Sequence, residues 1–586
     1  MSNLNYLQKL SNKQLDAIKL NGNVLLTAIP GSGKTRTLTN KVLYEYDENE
    51  FKKIIAITYT NRASEEMEER IIKQMGEVPK NIWIGTIHKF CLEFILRKYS
   101  SFSSFLSKPF CILGEEDDIK LIKELKEKYN ISMYDSIDYS LSENGLPNEI
   151  KNYDFVYEYY EIQRKSRKIN FNLILYESYL LLKNNNNVTL NLSSMIKYLC
   201  VDEYQDTQEL QYQILSLIYK STKGFNMFFV GDPNQAIYTG LGGVVKNKNE
   251  LELTFDTYFN ELELNECYRS NQEIIDFYSN FSLKKVDMIS CNTNFNNPLI
   301  YINHLINKNN LIDEIANIIK KNLDKGILEN EICIIAPQWT FLLDISTKLR
   351  MKLPELKFDA PNIIPLKRDE ENICYKLSKL ILVKYSFYNK NRVFKIMKDI
   401  KQQLFDEYSL SIEYSEYELL KLLFSSETQD DIGTEYIKNT LINFFHKLNL
   451  LNIFKEDIIA YVDKTVEKIH LYQDYGIEDN RLSFEKSLRS KEGIVVSTIH
   501  GIKGDEFRIV IAFGLLRGYV PHWNSIMGTY TEVEDSNKLL FVLCSRAREK
   551  IYLFAEKGRK TKGGKNYEMN SELNKAMLYL NSKNNL

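Results

Sequence analysis

Histidine is scarce in this chain: six in 586 residues, none of them in an HExxH pair. The eight cysteines, Cys91, Cys111, Cys200, Cys267, Cys291, Cys333, Cys374 and Cys544, form no CxxC pair. No zinc-type cage is therefore legible. Most of these cysteines lie in apolar runs and read as reduced core residues, which predicts a cytoplasmic protein. Long hydrophobic runs are also missing. No stretch stays apolar for the roughly 20 residues that a bilayer-crossing helix needs, so no membrane partner is expected. The opening residues lack the apolar centre of a secretory leader. An excess of charge of one sign is absent too. Lys and Arg number 76 against 78 Asp and Glu, for a net charge of −2. That balance gives no global pull toward nucleic acid, so such a site must be a local patch or groove.

What is present is a globular composition, 44% hydrophobic and 26% charged, on a chain long enough for roughly three to four domains or subdomains. Apolar spacing predicts strands at Val24–Ala28 and at residues 54–59, 82–85, 198–201 and 227–230. Helices are predicted over about residues 34–46 and 63–75. Strand character returns at 331–336, Ile494–Thr498, 509–513 and 551–554. Short apolar strands alternating with helices predict an α/β fold with parallel sheets. Two stretches between them are rich in charged helical segments, such as 117–128, and the polar tract at 184–187 reads as a loop. The predicted organisation is a first lobe over residues 1–92 and 193–270, interrupted by a helical insertion at 93–192. A second lobe over 271–368 and 491–586 is interrupted by a mainly helical insertion at 369–490.

Residues 28–35 read AIPGSGKT, after a strand and at the start of a helix. This is the context of a phosphate loop, where backbone N–H groups and a helix N-terminus face phosphates. Gly31 and Gly33 allow close backbone approach, with Ala28 and Ser32 completing the turn. Lys34 would reach the β- and γ-phosphates of ATP and Thr35 would ligate Mg²⁺. Such a loop needs an acidic partner. Residues 198–206 read YLCVDEYQD, an apolar strand that ends in a carboxylate pair. Asp202 would hold Mg²⁺ through water, and Glu203 would orient and deprotonate the attacking water.

Together these residues resemble the UvrD/Rep/PcrA-like branch of superfamily 1 helicases, in motif order over nearly the whole chain. Residues 10–18 (LSNKQLDAI) are similar to its glutamine motif, which implies that Gln14 reads the adenine edge. Arg36 matches a position beside the base. Residues 58–67 (TYTNRASEEM) and 85–90 (GTIHKF) resemble its first DNA-contact motifs, which implies DNA roles for Tyr59, Asn61 and His88. Residues 229–238 (FVGDPNQAIY) resemble motif III, with Gln235 sensing the γ-phosphate and Tyr238 stacking on DNA. Residues 264–270 (LNECYRS) match motif IV, with Tyr268 on adenine and Arg269 on the γ-phosphate. Residues 496–507 (VSTIHGIKGDEF) match motif V, with His500 on DNA and Glu506 on the ribose. Residues 542–547 (VLCSRA) match motif VI, with Arg546 as arginine finger.

The resemblance implies two RecA-like lobes and an ATP-dependent DNA helicase or translocase that moves 3′→5′ on single-stranded or tailed duplex DNA, with roles such as DNA repair. If Arg269 and Arg546 both approach from around the second lobe, ATP joins the lobes and hydrolysis releases them. The plain alternative is a surface salt bridge for each. Core filling competes with stacking for Tyr59 and Tyr238, and a structural hydrogen bond competes with DNA contact for His88 and His500. One departure stands out. Where the family usually carries Trp then Arg after the motif III tyrosine, this chain has Gly240 and Leu241. That removes a platform and a cation, and it supports an alternative function: a DNA-sensing ATPase that seldom unwinds and serves a nuclease partner, as in Gabija-type antiviral defence systems.

Overall fold

The computed structural model describes residues 10–103, 106, 110–133, 135, 137–142, 145–148, 150–238, 242–292, 298–359, 366, 369, 372–383, 390–473, 478–488, 493–528, 531–561 and 563–584. The chain divides into two compact units. One takes Met1–Phe90, Asn186–Ala360 and Lys491–Leu586; the other takes Cys91–Asn185 and Pro361–Ser490.

The first unit is built on two six-stranded sheets. Across the first sheet the order is Ile82–Thr86, Lys53–Thr58, Ile196–Asp202, Asn226–Gly231, Val24–Ala28 and Asn260–Leu264, every pair parallel. Across the second it is Leu299–Asn303, Ala547–Phe554, Phe507–Ala512, Ile332–Ala336, Ile494–Thr498 and Phe358–Asp359, again all parallel. The fold is thus α/β with two parallel-sheet cores, the RecA-like lobes. The central strands are continuous apolar runs because helices cover both faces of a parallel sheet. Val24, Leu26, Ile54, Ala56, Cys200 and Val230 meet in the core of the first lobe. Ile335, Val510, Phe541, Ile551 and Leu553 meet in that of the second.

Asn260–Leu264 and Leu299–Asn303 escaped the sequence reading. Both are edge strands with partly exposed patterns, so neither shows the apolar run that marks its neighbours. The connection between the lobes belongs to both of them. Glu266–Cys267 pairs in parallel with Ile289–Ser290, and Cys267 packs into the second lobe's core together with Ile29 of the phosphate loop.

The second unit is mainly helical among the described residues, with a short parallel pairing of Cys111–Ile112 and Lys168–Ile169. An apolar cluster runs from Leu366 to Phe484 and includes Met397, Leu441, Phe445 and Tyr461. Parts of both insertions meet here: Arg97 lies 3.4 Å from Asp406. The loop expected at 184–187 is replaced by a helix junction. Phe171–Asn184 is followed by Asn186–Met195, and the Asn185 side chain donates to the Leu181 carbonyl at 2.8 Å. The polar tract is a cap between helices. Asn186–Met195 belongs to the first unit, where Ser193 and Thr222 hydroxyls lie 2.5 Å apart, so the insertion gives way at Asn185 rather than at 192. Among the described residues no helix is long and apolar enough to cross a membrane.

Candidate active site

The phosphate loop begins where the buried strand Val24–Ala28 ends. Gly31 and Gly33 have φ of +74° and +82°, a region that glycine enters without strain. The Ser32 hydroxyl donates to the Ile29 carbonyl at 2.8 Å and closes the turn. Helix Lys34–Glu45 starts directly on Gly33 with no side-chain cap, which leaves its first N–H groups for an anion. Lys34 and Thr35 occupy this first turn. A side chain at Gly31 would place its Cβ 2.6 Å from the Arg269 Cβ and 2.9 Å from the Cys267 Sγ. The loop therefore touches the inter-lobe connection, and the Tyr268 N–H donates to the Gly31 carbonyl at 2.9 Å.

Helix Asn12–Lys19 opens on a capping box between Ser11 and Gln14. The Gln14 Nε2 also donates to the Ser32 carbonyl at 2.9 Å, and its Oε1 accepts from the Ser11 N–H at 3.0 Å. Each end of the amide is thus in use, and a base edge would engage its remaining hydrogen or lone pair. The far end of this helix is tied down by fully buried Lys41, whose Nζ donates to Ile18 and Leu20 carbonyls at 2.8 and 3.0 Å and pairs with Glu45 at 2.8 Å. Arg36 is the third residue of the phosphate-loop helix and lines a cleft with Thr39, Asn40, Arg70 and Gln74.

Asp202 ends its strand and Glu203 turns sharply, with φ 49° and ψ 48°. A non-glycine residue there signals strain of the kind that concentrates at functional sites. Asp202 is buried and Glu203, the next residue, is half-buried. Burial, then the neighbouring Glu203, pushes Asp202 up to about 7. Burial also raises Glu203, but Lys34, Lys503, a hydrogen bond from Gln205 and Arg546 outweigh it and hold Glu203 down to about 2. The loop lysine, the acidic pair and Arg546 therefore share one electrostatic neighbourhood. A hydroxyl at Thr35 and a buried carboxylate at Asp202 are hard oxygen donors, and a divalent cation relieves two adjacent acids, so this set fits Mg²⁺.

Arg546 is 1% exposed. It donates to the Val542 carbonyl (2.9 Å), the Asp505 carbonyl (3.3 Å), the Ser545 hydroxyl (2.9 Å) and the Gln235 Oε1 (2.8 Å). Gln235 in turn donates to Asp232 at 2.6 Å. Among the described residues Arg546 makes no ion pair. Arg269 donates to the Ser545 carbonyl at 2.8 Å and to Glu506 at 2.7 Å. Both arginines thus converge on Ser545, and neither is an isolated surface salt bridge. Glu506, expected on the ribose, accepts from Arg269 and Arg548. Tyr268 stands 44% exposed beside the loop, its hydroxyl donating to Glu266 at 2.7 Å.

Tyr59 and Tyr238 do not fill the core. Their ring centroids lie 4.7 Å apart, and His500 lies 5.7 Å from Tyr238. Asn61 is exposed at the start of helix Asn61–Met75. His88 sits in the short helix Ile87–Phe90, where burial pushes its pKa down to about 4 and keeps the ring neutral. Gly240 and Leu241 lie outside the described residues.

Several residues were not singled out from sequence. Lys503 pairs with buried Asp206, donates to the Gln235 carbonyl at 2.7 Å and stands 5.2 Å over the Tyr238 ring. Gln205 donates to Glu203 and accepts from the Asp232 N–H. Arg62 forms a two-pronged pair with Asp505. The polar string at 203–206 was a signal for Gln205 and Asp206; nothing local marked the partners across the seam.

Residues 10–256 match the UvrD/REP helicase N-terminal domain, and residues 449–558 match the UvrD-like helicase C-terminal domain. The chain is 25% identical to a probable DNA helicase II homolog of Mycoplasma capricolum subsp. capricolum, over 95% of this chain and 86% of that protein. It is 27% identical to the ATP-dependent DNA helicase Rep of Buchnera aphidicola subsp. Schizaphis graminum, over 92% of each. It is 23% identical to the ATP-dependent DNA helicase PcrA of Staphylococcus aureus, over 93% of this chain and 83% of that one. With both halves of the family matched in order over more than half of its residues, this chain belongs to the UvrD-like superfamily 1 helicases and is an ATP-hydrolysing enzyme of that family.

Proposed function

We propose that this chain is an ATP-driven motor that draws single-stranded DNA across its two lobes. Lys503 is the observation that carries the reading. One ammonium group pairs with Asp206 near the acidic pair, bonds the Gln235 carbonyl and lies over Tyr238. Nucleotide state and aromatic track are thus joined through one side chain. The 3′→5′ polarity rests on the family resemblance.

In this reading the loop N–H groups and Lys34 hold the ATP phosphates, while Tyr268, Arg36 and Gln14 surround the base. Thr35 and Asp202 would hold Mg²⁺, which neutralises phosphate charge when bound. Glu203, kept ionised by the surrounding cations, orients the attacking water. The same carboxylate is placed to take that water's proton as general base. Arg269 and Arg546 stabilise charge on the γ-phosphate, and Gln235 reports that phosphate to Lys503. Tyr59, Tyr238 and His500, with Asn61 and His88 nearby in sequence motifs, receive the strand by stacking and polar contact. A cytoplasmic setting suits eight cysteines that are all free thiols.

The test compares ATP turnover without DNA and with single-stranded, blunt and tailed duplex DNA, beside strand displacement. Single strand should stimulate turnover, and Lys34→Ala and Glu203→Gln should abolish it while melting cooperatively. Undiminished turnover in either variant would refute the site. A second reading, a DNA-sensing ATPase acting with a nuclease, is favoured by Gly240 and Leu241 in place of the usual Trp and Arg. It expects stimulated turnover without strand displacement; efficient unwinding by the isolated protein counts against it.

A further inference from the structure

Asp505 occupies an unusual junction. Its carboxylate is gripped by both Nη atoms of Arg62, from the other lobe. Its carbonyl accepts from Arg546 at 3.3 Å. The next two residues continue the grip: Glu506 binds Arg269 at 2.7 Å, and the Phe507 N–H donates to the Arg546 carbonyl at 2.9 Å. Residues 505–507 therefore fix both arginines of the seam, and Arg62 fixes residue 505.

The pair is asymmetric. The Arg62 side chain is 56% exposed and that of Asp505 10%. Arg62 stands in the first turn of helix Asn61–Met75, close after Tyr59, whose ring faces Tyr238. In the motor reading, a strand on that tyrosine pair would run past the exposed end of the ion pair. A guanidinium binds phosphate in the same two-pronged geometry as carboxylate. Phosphate can therefore displace Asp505 without leaving Arg62 uncompensated.

We propose that Arg62–Asp505 is a strand-sensitive latch on Arg546, and that both are positioning residues for hydrolysis. Without a strand, Arg62 anchors Asp505, and the Asp505 carbonyl retains one arm of Arg546. A strand phosphate draws Arg62 away, the segment at 505–507 relaxes, and that arm is released toward the γ-phosphate. The latch rests on the motor reading and gives it a route from DNA binding to turnover.

The test measures ATP turnover with and without oligo(dT) for the full chain, Asp505→Asn, Arg62→Ala and the exchanged pair Arg62→Asp with Asp505→Arg. Asp505→Asn keeps shape and is the variant least disposed to misfold; thermal melting checks each protein. DNA-free turnover should rise about fivefold in both single variants, the scale of one partly exposed ion pair, and the stimulation ratio should shrink. Arg62→Ala should also need more oligo(dT) for half-stimulation. The exchanged pair should return DNA-free turnover toward the parent, and the rise in the folded single variants is what loss of a merely structural contact does not predict. Folded single variants with parental or lower DNA-free turnover overturn the latch. If the parent itself is not stimulated by single strand, the motor reading fails first and the latch with it.

Discussion

Replacing Arg546 by methionine should leave the protein about as stable as before and yet nearly inactive. Burial, then the nearby Arg269, pushes the Arg546 pKa from 12.5 down to about 9. That expresses a charging cost of about 5 kcal/mol, and arginine bears such a cost by keeping its proton rather than losing it. The side chain donates to Val542, Asp505, Ser545 and Gln235. At about 1.5 kcal/mol each, the lower end for bonds made by a charged group, the four return about 6 kcal/mol. In the absence of an anion the guanidinium is thus near break-even. Methionine keeps the bulk and removes the charge, but leaves the Gln235 oxygen and two carbonyls short of a donor. The two changes oppose each other, so unfolding free energy should stay within about 2 kcal/mol of the parent. Turnover should fall about a thousandfold, the lower end for loss of an arginine finger. Melting with no ligand, with ADP and with a non-hydrolysable ATP analogue separates the two roles. The parent should gain more from the triphosphate than from ADP, because a γ-phosphate supplies the missing counter-charge, and the variant should show no such difference. A parent that melts alike with both nucleotides, or a variant that keeps its turnover, would show that Arg546 does not meet the γ-phosphate.

Gly31→Ala combines a φ of +74° with a Cβ 2.6 Å from the Arg269 Cβ; strain and overpacking of about 2 to 4 kcal/mol should lower Tm and weaken ATP binding at least about tenfold, and an unchanged melt would mean the loop does not press on that segment. Tyr238→Ala removes the ring that faces Tyr59 and His500, so oligo(dT) affinity by fluorescence anisotropy should drop by about 1 to 3 kcal/mol; equal affinity moves the track elsewhere. Burial raises Glu506, but Arg269 and Arg548 override it and hold the carboxyl down to about 2. Its folded-state pKa is depressed, so its stabilisation is full above the ordinary 4.5 and fades as pH falls toward 2. Melting of the parent and Glu506→Gln should therefore converge as pH drops from about 4.5 toward 2; a constant gap would mean the ion pairs with Arg269 and Arg548 do not form.

The parts of the site that sequence made legible are those whose chemistry is local. A five-residue apolar strand, Val24–Ala28, a glycine turn and a helix start form the phosphate loop within one short segment. The strand that ends in Asp202 reads the same way. Edge strands were missed because Asn260–Leu264 alternates charged and apolar residues, as a solvent-facing edge does and a buried core strand does not. The asparagines around residue 185 looked like a loop because the same side chains that favour turns also cap helices. Partners across the seam had no local mark. Lys503 and Asp206 stand 297 residues apart, and Arg62 and Asp505 stand 443 apart. Only the folded chain brings them together, and each pair depends on a geometry that no single segment encodes.

The segment around Cys267 and Tyr268 constrains how the seam can open. It is stitched to the phosphate loop by the Tyr268 N–H and the Gly31 carbonyl, while Cys267 is packed in the opposite lobe. A rotation of one lobe against the other must leave this stitch nearly in place and act like a door on its jamb. Travel is smallest beside Tyr268 and grows with distance from it. A purine stacked on that ring would stay gripped while the guanidinium contacts part, so spent nucleotide would leave phosphate end first.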